Sequence, residues 1–190
     1  MPMRRERKDK VMNKKINDYY VLLALDEDSA TEVRVFKMLD KKFNLPYKVF
    51  YPHLTLGHFP NASKRVLLKT IRKLSKQNDP INIDFNDVKL LNGNLIALTL
   101  VKQEVLEGMY DKLHQSIPFE ADIWTSPTSG KFIPHVSIYF SQSMDLTEMY
   151  DYIKKSFVPF SGKLVAIELS LFDGKTYTIV KRFPIKKRFF

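Results

Sequence analysis

The chain is predicted to be an α+β protein of two pseudo-symmetric lobes, with antiparallel sheets flanked by helices around a central cleft. Three observations predict this. A pentapeptide is written twice, as Pro52-His53-Leu54-Thr55-Leu56 and as Pro134-His135-Val136-Ser137-Ile138. The order strand, helix, Pro-His-x-Thr/Ser strand, helix, strand runs once over 19–91 and again over 94–172, with one more strand after it. Asn92-Gly93 and Asp173-Gly174 each stand between two apolar runs, which is a strong hairpin signal. A duplicated unit of this kind implies a pseudo-twofold axis that brings the two pentapeptides together.

The elements follow in order. Tyr19 to Leu25 is an apolar run stopped by Asp26-Glu27-Asp28, and reads as a buried strand. Asp28 or Ser29 is expected to cap the next helix, whose period is Val33, Phe36, Leu39, Phe43, running to about Asn44 before Pro46. Leu45 to Tyr51 connects to the first motif strand, His53–Phe59, which Pro60 ends. A second helix, capped by Asn61 or Ser63, reaches about Gln77 on the stripe Leu67, Ile71, Leu74. It holds six basic residues and no acid between Lys64 and Lys76, either a solvated face or a surface that tracks RNA phosphates. Alternation over Ile81–Phe85 and the run Leu95–Val101 give two strands. A third helix runs from about Gln103 to Gln115, burying Val105, Leu106, Met109, Tyr110 and Leu113, with His114 at its surface. After the irregular stretch Pro118–Pro134 come the second motif strand, His135–Phe140, a helix from Leu146 to Ser156, and strands at Lys163–Phe172 and Thr176–Phe183.

Composition bounds what such a fold can do. At 190 residues, with 44% apolar and 13% aromatic side chains, the chain has enough for one sizeable core. With no cysteine it has neither a disulfide framework nor a thiolate metal site. No apolar run approaches the ~20 residues of a membrane span, and the charged N-terminus does not read as a signal peptide. A cytoplasmic, monomeric protein without a membrane partner is the expectation. The net charge of +10 is placed unevenly, with +5 in residues 1–17, +5 in 181–190 and none in the remainder. Residues 1–17 are therefore expected to be a flexible basic tail, and 18–190 a single two-lobed domain.

The motif carries the chemistry. Side chains alternate along a strand, so His53 and Thr55 share one face while Leu54 and Leu56 anchor the other, and His135 and Ser137 stand likewise against Val136 and Ile138. A Pro-His-x-Ser/Thr tetrad is expected by chance roughly 0.02 times in such a chain, so two copies are not an accident. His58, five residues after His53, falls on the opposite face by alternation and reads as structural or surface. Tyr139, two residues after Ser137, shares the site face, and its counterpart in the first copy is Gly57, which leaves room there. Lys131 and Tyr139 are candidates for substrate contact. Trp124, the only tryptophan, lies in the stretch leading to the second motif, where it either stacks on a base or plugs the edge of the core.

Two His-x-Thr/Ser motifs 82 residues apart, each opening an apolar strand, make the chain resemble the 2H phosphoesterase superfamily over roughly residues 18 to 184. That group includes 2′-5′ RNA ligase-like proteins and RNA 2′,3′-cyclic phosphodiesterases. The resemblance implies a phosphoric diester hydrolase with His53, Thr55, His135 and Ser137 as catalytic residues, no metal and no cofactor. Its substrate would be RNA ending in a 2′,3′-cyclic phosphate or a small cyclic nucleotide, with weak reversible 2′-5′ ligation as a further activity. The residue types suit that reaction. A neutral imidazole can take a proton from water, a protonated one can give a proton to the leaving oxygen, and two hydroxyls can donate to the phosphate. The residues themselves do not assign acid and base. The resemblance implies that His135 activates water and His53 protonates the 3′ oxygen. The alternative is an RNA-binding module whose cleft recognises phosphate without significant turnover.

Overall fold

The computed structural model describes residues 18–37, 39, 42–43, 51–101, 103–174 and 176–186. The expected basic tail at 1–17, most of the connection before Tyr51 and the last four residues lie outside these. The elements are β1 Asp18–Leu25, α1 Glu27–Lys37, β2 His53–Pro60, α2 Lys64–Gln77, β3 Ile81–Leu91, β4 Leu95–Leu100, α3 Glu104–Ser116, β5 His135–Phe140, α4 Thr147–Ser156, β6 Phe160–Phe172 and β7 Tyr177–Pro184. The predicted repeat is therefore β1-α1-β2-α2-β3 followed by β4-α3-β5-α4-β6, with β7 as the extra strand.

All strand pairs are antiparallel, in the order β1-β2-β5-β4-β3-β6-β7, and β1 also pairs with β6. Each lobe's sheet is thus continuous with the other through β6. That strand pairs with β3 over Phe160–Leu164, then with β1 and β7 along the rest of its length. On the other side β2 and β5 meet at a single residue pair, Leu54 with Val136. The two motif strands touch at the middle of their motifs and then part, which leaves the cleft between the lobes.

One face of each sheet carries the core under the helices. Tyr19, Val21, Leu23 and Leu25 of β1 lie in it, as do Leu54, Leu56 and Phe59 of β2 and Leu164, Ile167 and Leu169 of β6. α2 supplies Leu67, Ile71 and Leu74, and α3 supplies Leu106, Met109, Tyr110 and Leu113. Val105, expected among them, is 57% exposed. The cap of α1 is Asp26, whose Oδ1 accepts the Ser29 amide at 3.1 Å, so neither Asp28 nor Ser29 plays that part.

Candidate active site

The local geometry starts from the prolines. A residue before proline is held extended, and in both copies its carbonyl receives the histidine two residues on. His53 Nδ1 lies 2.7 Å from the Tyr51 carbonyl, and His135 Nδ1 lies 2.6 Å from the Ile133 carbonyl. A carbonyl only accepts, so each Nδ1 carries the hydrogen. Each Nε2 is then the basic nitrogen, and both imidazoles are fixed in the same tautomer.

Register places the rings on one surface. With Leu54 opposite Val136, the neighbours His53 and Thr55 on β2 stand across from Ser137 and His135 on β5, all on the face away from the core. His53 and His135 are then diagonal neighbours, for which Cα separations run about 7–8 Å. The rings also feel each other, since positive charge on His135 disfavours protonation of His53. All four side chains are half-buried, and neither hydroxyl is engaged by another described residue.

Both imidazoles resist protonation. Burial pushes His53 down to about 4, the Tyr51 carbonyl opposing and His135 adding to the shift. Burial also lowers His135, against the pull of the Ile133 carbonyl. His53 is the more enclosed ring. The Tyr51 ring stacks on it at 5.7 Å and the Tyr177 ring meets it edge-on at 4.7 Å between centroids. Burial raises the Tyr177 hydroxyl to about 12 and pushes the Tyr51 hydroxyl up as well, so both wall residues stay neutral.

Behind this wall sits a buried carboxylate that nothing in the pentapeptide announces. Glu168 is fully buried on the cleft face of β6, accepting Tyr51 Oη at 2.6 Å and Arg182 Nη1 at 2.7 Å. Tyr51 therefore holds His53 through its carbonyl and is itself held through its hydroxyl. The available signal was a lone acidic residue inside the apolar run Val165–Leu171, since a charge in a buried strand must find a partner.

Several expectations change because both motif strands carry a β-bulge. Thr55 pairs with Leu22 and Gly57 with Val21, so Leu56 is the extra residue; Ser137 pairs with Ala97 and Tyr139 with Ile96, so Ile138 is. Every side chain beyond the bulge changes face. Tyr139 thus turns into the core, 3% exposed, instead of toward the cleft, and Phe140, 46% exposed, takes the cleft-side position. Gly57 likewise points inward, where a Cβ would lie 2.5 Å from the Phe59 ring, so it opens no space at the site. His58 returns to the cleft face, stacked on Tyr20 at 4.0 Å between centroids and hydrogen-bonded to Asp18. Its role is still structural. His114, expected at the surface, is half-buried and its Nε2 meets the Leu56 carbonyl at 3.2 Å, beside the bulge.

Trp124 does not plug the core. It is 52% exposed, with Lys131 Nζ 4.9 Å from its ring centroid. Their loop is joined to β2 at His58, where Asp122 N reaches the His58 carbonyl at 2.9 Å and the His58 amide reaches Thr125 Oγ1 at 3.0 Å. Among the described residues no hydrogen bond, ion pair or ring contact links Trp124 or Lys131 to either histidine. The described residues hold no cluster of three or more acidic, histidine or cysteine side chains able to bind a metal, and no helix long and apolar enough to cross a membrane.

Comparison with known proteins shows the family and the fold. A protein of Oceanobacillus iheyensis that bears the name phosphoesterase is 30% identical over 118 residues, a match covering 60% of this chain and 65%, just under two thirds, of that relative. The crystal structure of TT0787 of Thermus thermophilus has a TM-score of 0.64 at 12% identity, covering 89% of this chain and 98% of that one. Escherichia coli LigT in complex with phosphate has a TM-score of 0.56 at 16% identity, covering 90% and 99%; these two likenesses show the fold. The family description "2'-5' RNA ligase superfamily" matches residues 25–176, both motifs included, so the chain belongs to the 2′-5′ RNA ligase superfamily of 2H phosphoesterases.

Proposed function

We propose that the chain is a metal-independent cyclic phosphodiesterase that opens 2′,3′-cyclic phosphates at RNA ends or in small nucleotides, with weak reversible 2′-5′ ligation, in which a 5′ hydroxyl replaces water, as a further activity. The observation that carries this reading is the pairing of Leu54 with Val136, which sets two imidazoles and two hydroxyls on one face. Solved structures of E. coli LigT hold phosphate and 3′-AMP, which supports a nucleotide phosphate as the ligand here.

In the reaction, Thr55 and Ser137 donate to the non-bridging phosphate oxygens, and their anion raises the proton affinity of both imidazoles. The neutral histidine takes a proton on Nε2 from water as its oxygen attacks phosphorus. The P–O3′ bond breaks, and the protonated histidine gives its Nε2 proton to that oxygen, leaving a 2′-phosphate. Exchange with solvent resets the pair. Between the two rings, His53 is the harder to protonate, because Tyr51 and Tyr177 wall it in. We therefore take His53 as the water activator and His135 as the proton donor, the reverse of what the resemblance implies.

Hydrolysis of a 2′,3′-cyclic mononucleotide in EDTA tests the reading. His53→Ala and His135→Ala should each cost about 10²–10⁴-fold, and unchanged rates in both would overturn it. A diester with a 4-nitrophenolate leaving group needs no acid. It should restore activity to His135→Ala and not to His53→Ala; the opposite pattern would exchange the two roles.

A further inference from the structure

We propose that the outer face of α2 is a track for the phosphates of an RNA strand, so that the substrate is an oligonucleotide and not a free cyclic nucleotide. This rests on the reading of the cleft given above. Arg65, Lys69, Arg72, Lys73 and Lys76 recur at three- and four-residue steps and are all exposed, one stripe about 16 Å long. Among the described residues none of their side chains has an ion-pair or hydrogen-bond partner.

A merely solvated face does not account for this arrangement. Solubility is served equally by mixed charges, which add favourable pairs along the helix. Here each i,i+4 pair, such as Arg65 with Lys69 or Arg72 with Lys76, is repulsive. The helix also begins with Lys64 and Arg65, cations at the end its dipole makes positive. α1, α3 and α4 all place acids in the first turn; α2 alone has none. A helix that carries uncompensated repulsion along one stripe is arranged for a polyanion that relieves it. A membrane surface fits less well, because Leu67, Ile71 and Leu74 are buried in the core and no apolar face is left to insert.

The track connects to the cleft around the edge of the sheet. α2 packs against β6 and the edge strand β7. On β7, Lys181 pairs with Leu169 on the helix side, and Arg182 pairs with Glu168 on the cleft side. Lys181, exposed at this edge, thus extends the positive charge of the helix face beyond α2, while Arg182 past it is paired with Glu168.

The test uses the full chain, its K69E/R72E/K73E/K76E variant and the matching variant with four glutamines. A fluorescent 12-nucleotide RNA ending in a 2′,3′-cyclic phosphate is titrated by anisotropy across salt concentrations, and its hydrolysis is compared with that of the cyclic mononucleotide. Both variants should bind the RNA at least tenfold more weakly at low salt, with a slope of log K against log salt flatter by about 3, roughly 0.7 for each cation lost. Both should hydrolyse the mononucleotide as the parent does, which also shows that they fold. Equal RNA affinity in parent and variants would overturn the track while leaving the cleft reading intact. If the parent hydrolyses neither substrate the cleft reading fails, and the anisotropy, with melting curves to confirm folding, still decides the track. Sedimentation with phosphatidylserine vesicles that is lost in the variants, with no RNA binding by the parent, would also overturn it.

Discussion

Replacing Tyr51 with phenylalanine isolates the link between the buried carboxylate and the first histidine. The ring that stacks on His53 remains, and so does the carbonyl that accepts Nδ1; only the hydroxyl that meets Glu168 at 2.6 Å is lost. A hydrogen bond to a charged group contributes roughly 1.5–3 kcal/mol. Glu168 keeps Arg182 after the change, but its Oε2 is then buried without a donor. The half-exposed Arg182 side chain keeps solvent close to the pair, which favours the lower half of that range, about 2 kcal/mol. For a chain of this size that is a fall of about 4–8 °C in Tm. Catalysis should suffer separately, because residue 51 is then anchored on one side only and the His53 ring can tilt. We expect kcat on a cyclic mononucleotide to fall by about three- to tenfold with KM unchanged, the signature of a positioning defect. The assays are thermal melting and steady-state kinetics on Tyr51→Phe, Glu168→Gln and the double variant. The two changes touch one hydrogen bond and should be strongly non-additive. Tm and kcat both unaltered in Tyr51→Phe would refute the link. A lowered Tm with unaltered kcat would show that the cluster holds the strand ends together and does nothing for His53.

The remaining expectations concern titration and packing. The folded pKa of His53 and His135 lies below the unfolded value near 6.5, so between about pH 4 and 6.5 the unfolded chain binds more protons. Stability should therefore be full above pH 6.5 and decline as pH falls through that window; urea midpoints at pH 7 and pH 5 should show it, and added phosphate should lessen the decline. Gly57→Ala should cost about 1–3 kcal/mol in urea unfolding, because its Cβ would lie 2.5 Å from the fully buried Phe59 ring and 3.2 Å from Leu113. Among the described residues Ser170 Oγ is buried without a partner, so Ser170→Ala should raise the melting temperature by a few degrees through loss of a hydroxyl that costs roughly 1–3 kcal/mol to bury.

Much of the fold was legible because duplication is a sequence property. The repeated order of elements placed both motif strands, and the Pro-His pair carried its own local geometry, since proline orients the carbonyl that fixes the ring. Alternation then failed at one place, and failed twice, because the duplicated unit includes its bulge. A bulge is backbone geometry that a count of two cannot register. The trace it leaves is a pair of adjacent inward positions where alternation allows one, Leu56 with Gly57 and Ile138 with Tyr139. That single step decided whether Tyr139 or Phe140 faces the cleft. The network around His53 was illegible for a different reason. Tyr51, Glu168 and Arg182 are up to 131 residues apart in the chain, and only the pairing of β1 with β6 and of β6 with β7 assembles them.

That network would also let a symmetric scaffold run the asymmetric reaction proposed above. Acid-base catalysis by two histidines needs one neutral and one protonated ring, and two identical half-sites would give neither ring a preference. The twofold relation extends to the backbone partners, with Thr55 beside Leu22 and Glu168 beyond it, and Ser137 beside Ala97 and Lys89 beyond it. At equivalent places one lobe has a buried glutamate and the other an exposed lysine, and the residues ahead of the two prolines are Tyr51 and Ile133. The remaining difference is β7, which has no counterpart in the repeat and brings both Tyr177 and Arg182. The extra strand walls in one imidazole and leaves the other more open. Because burial is the leading cause of the lowered proton affinity of both rings, adding a wall to one side alone is sufficient to order them.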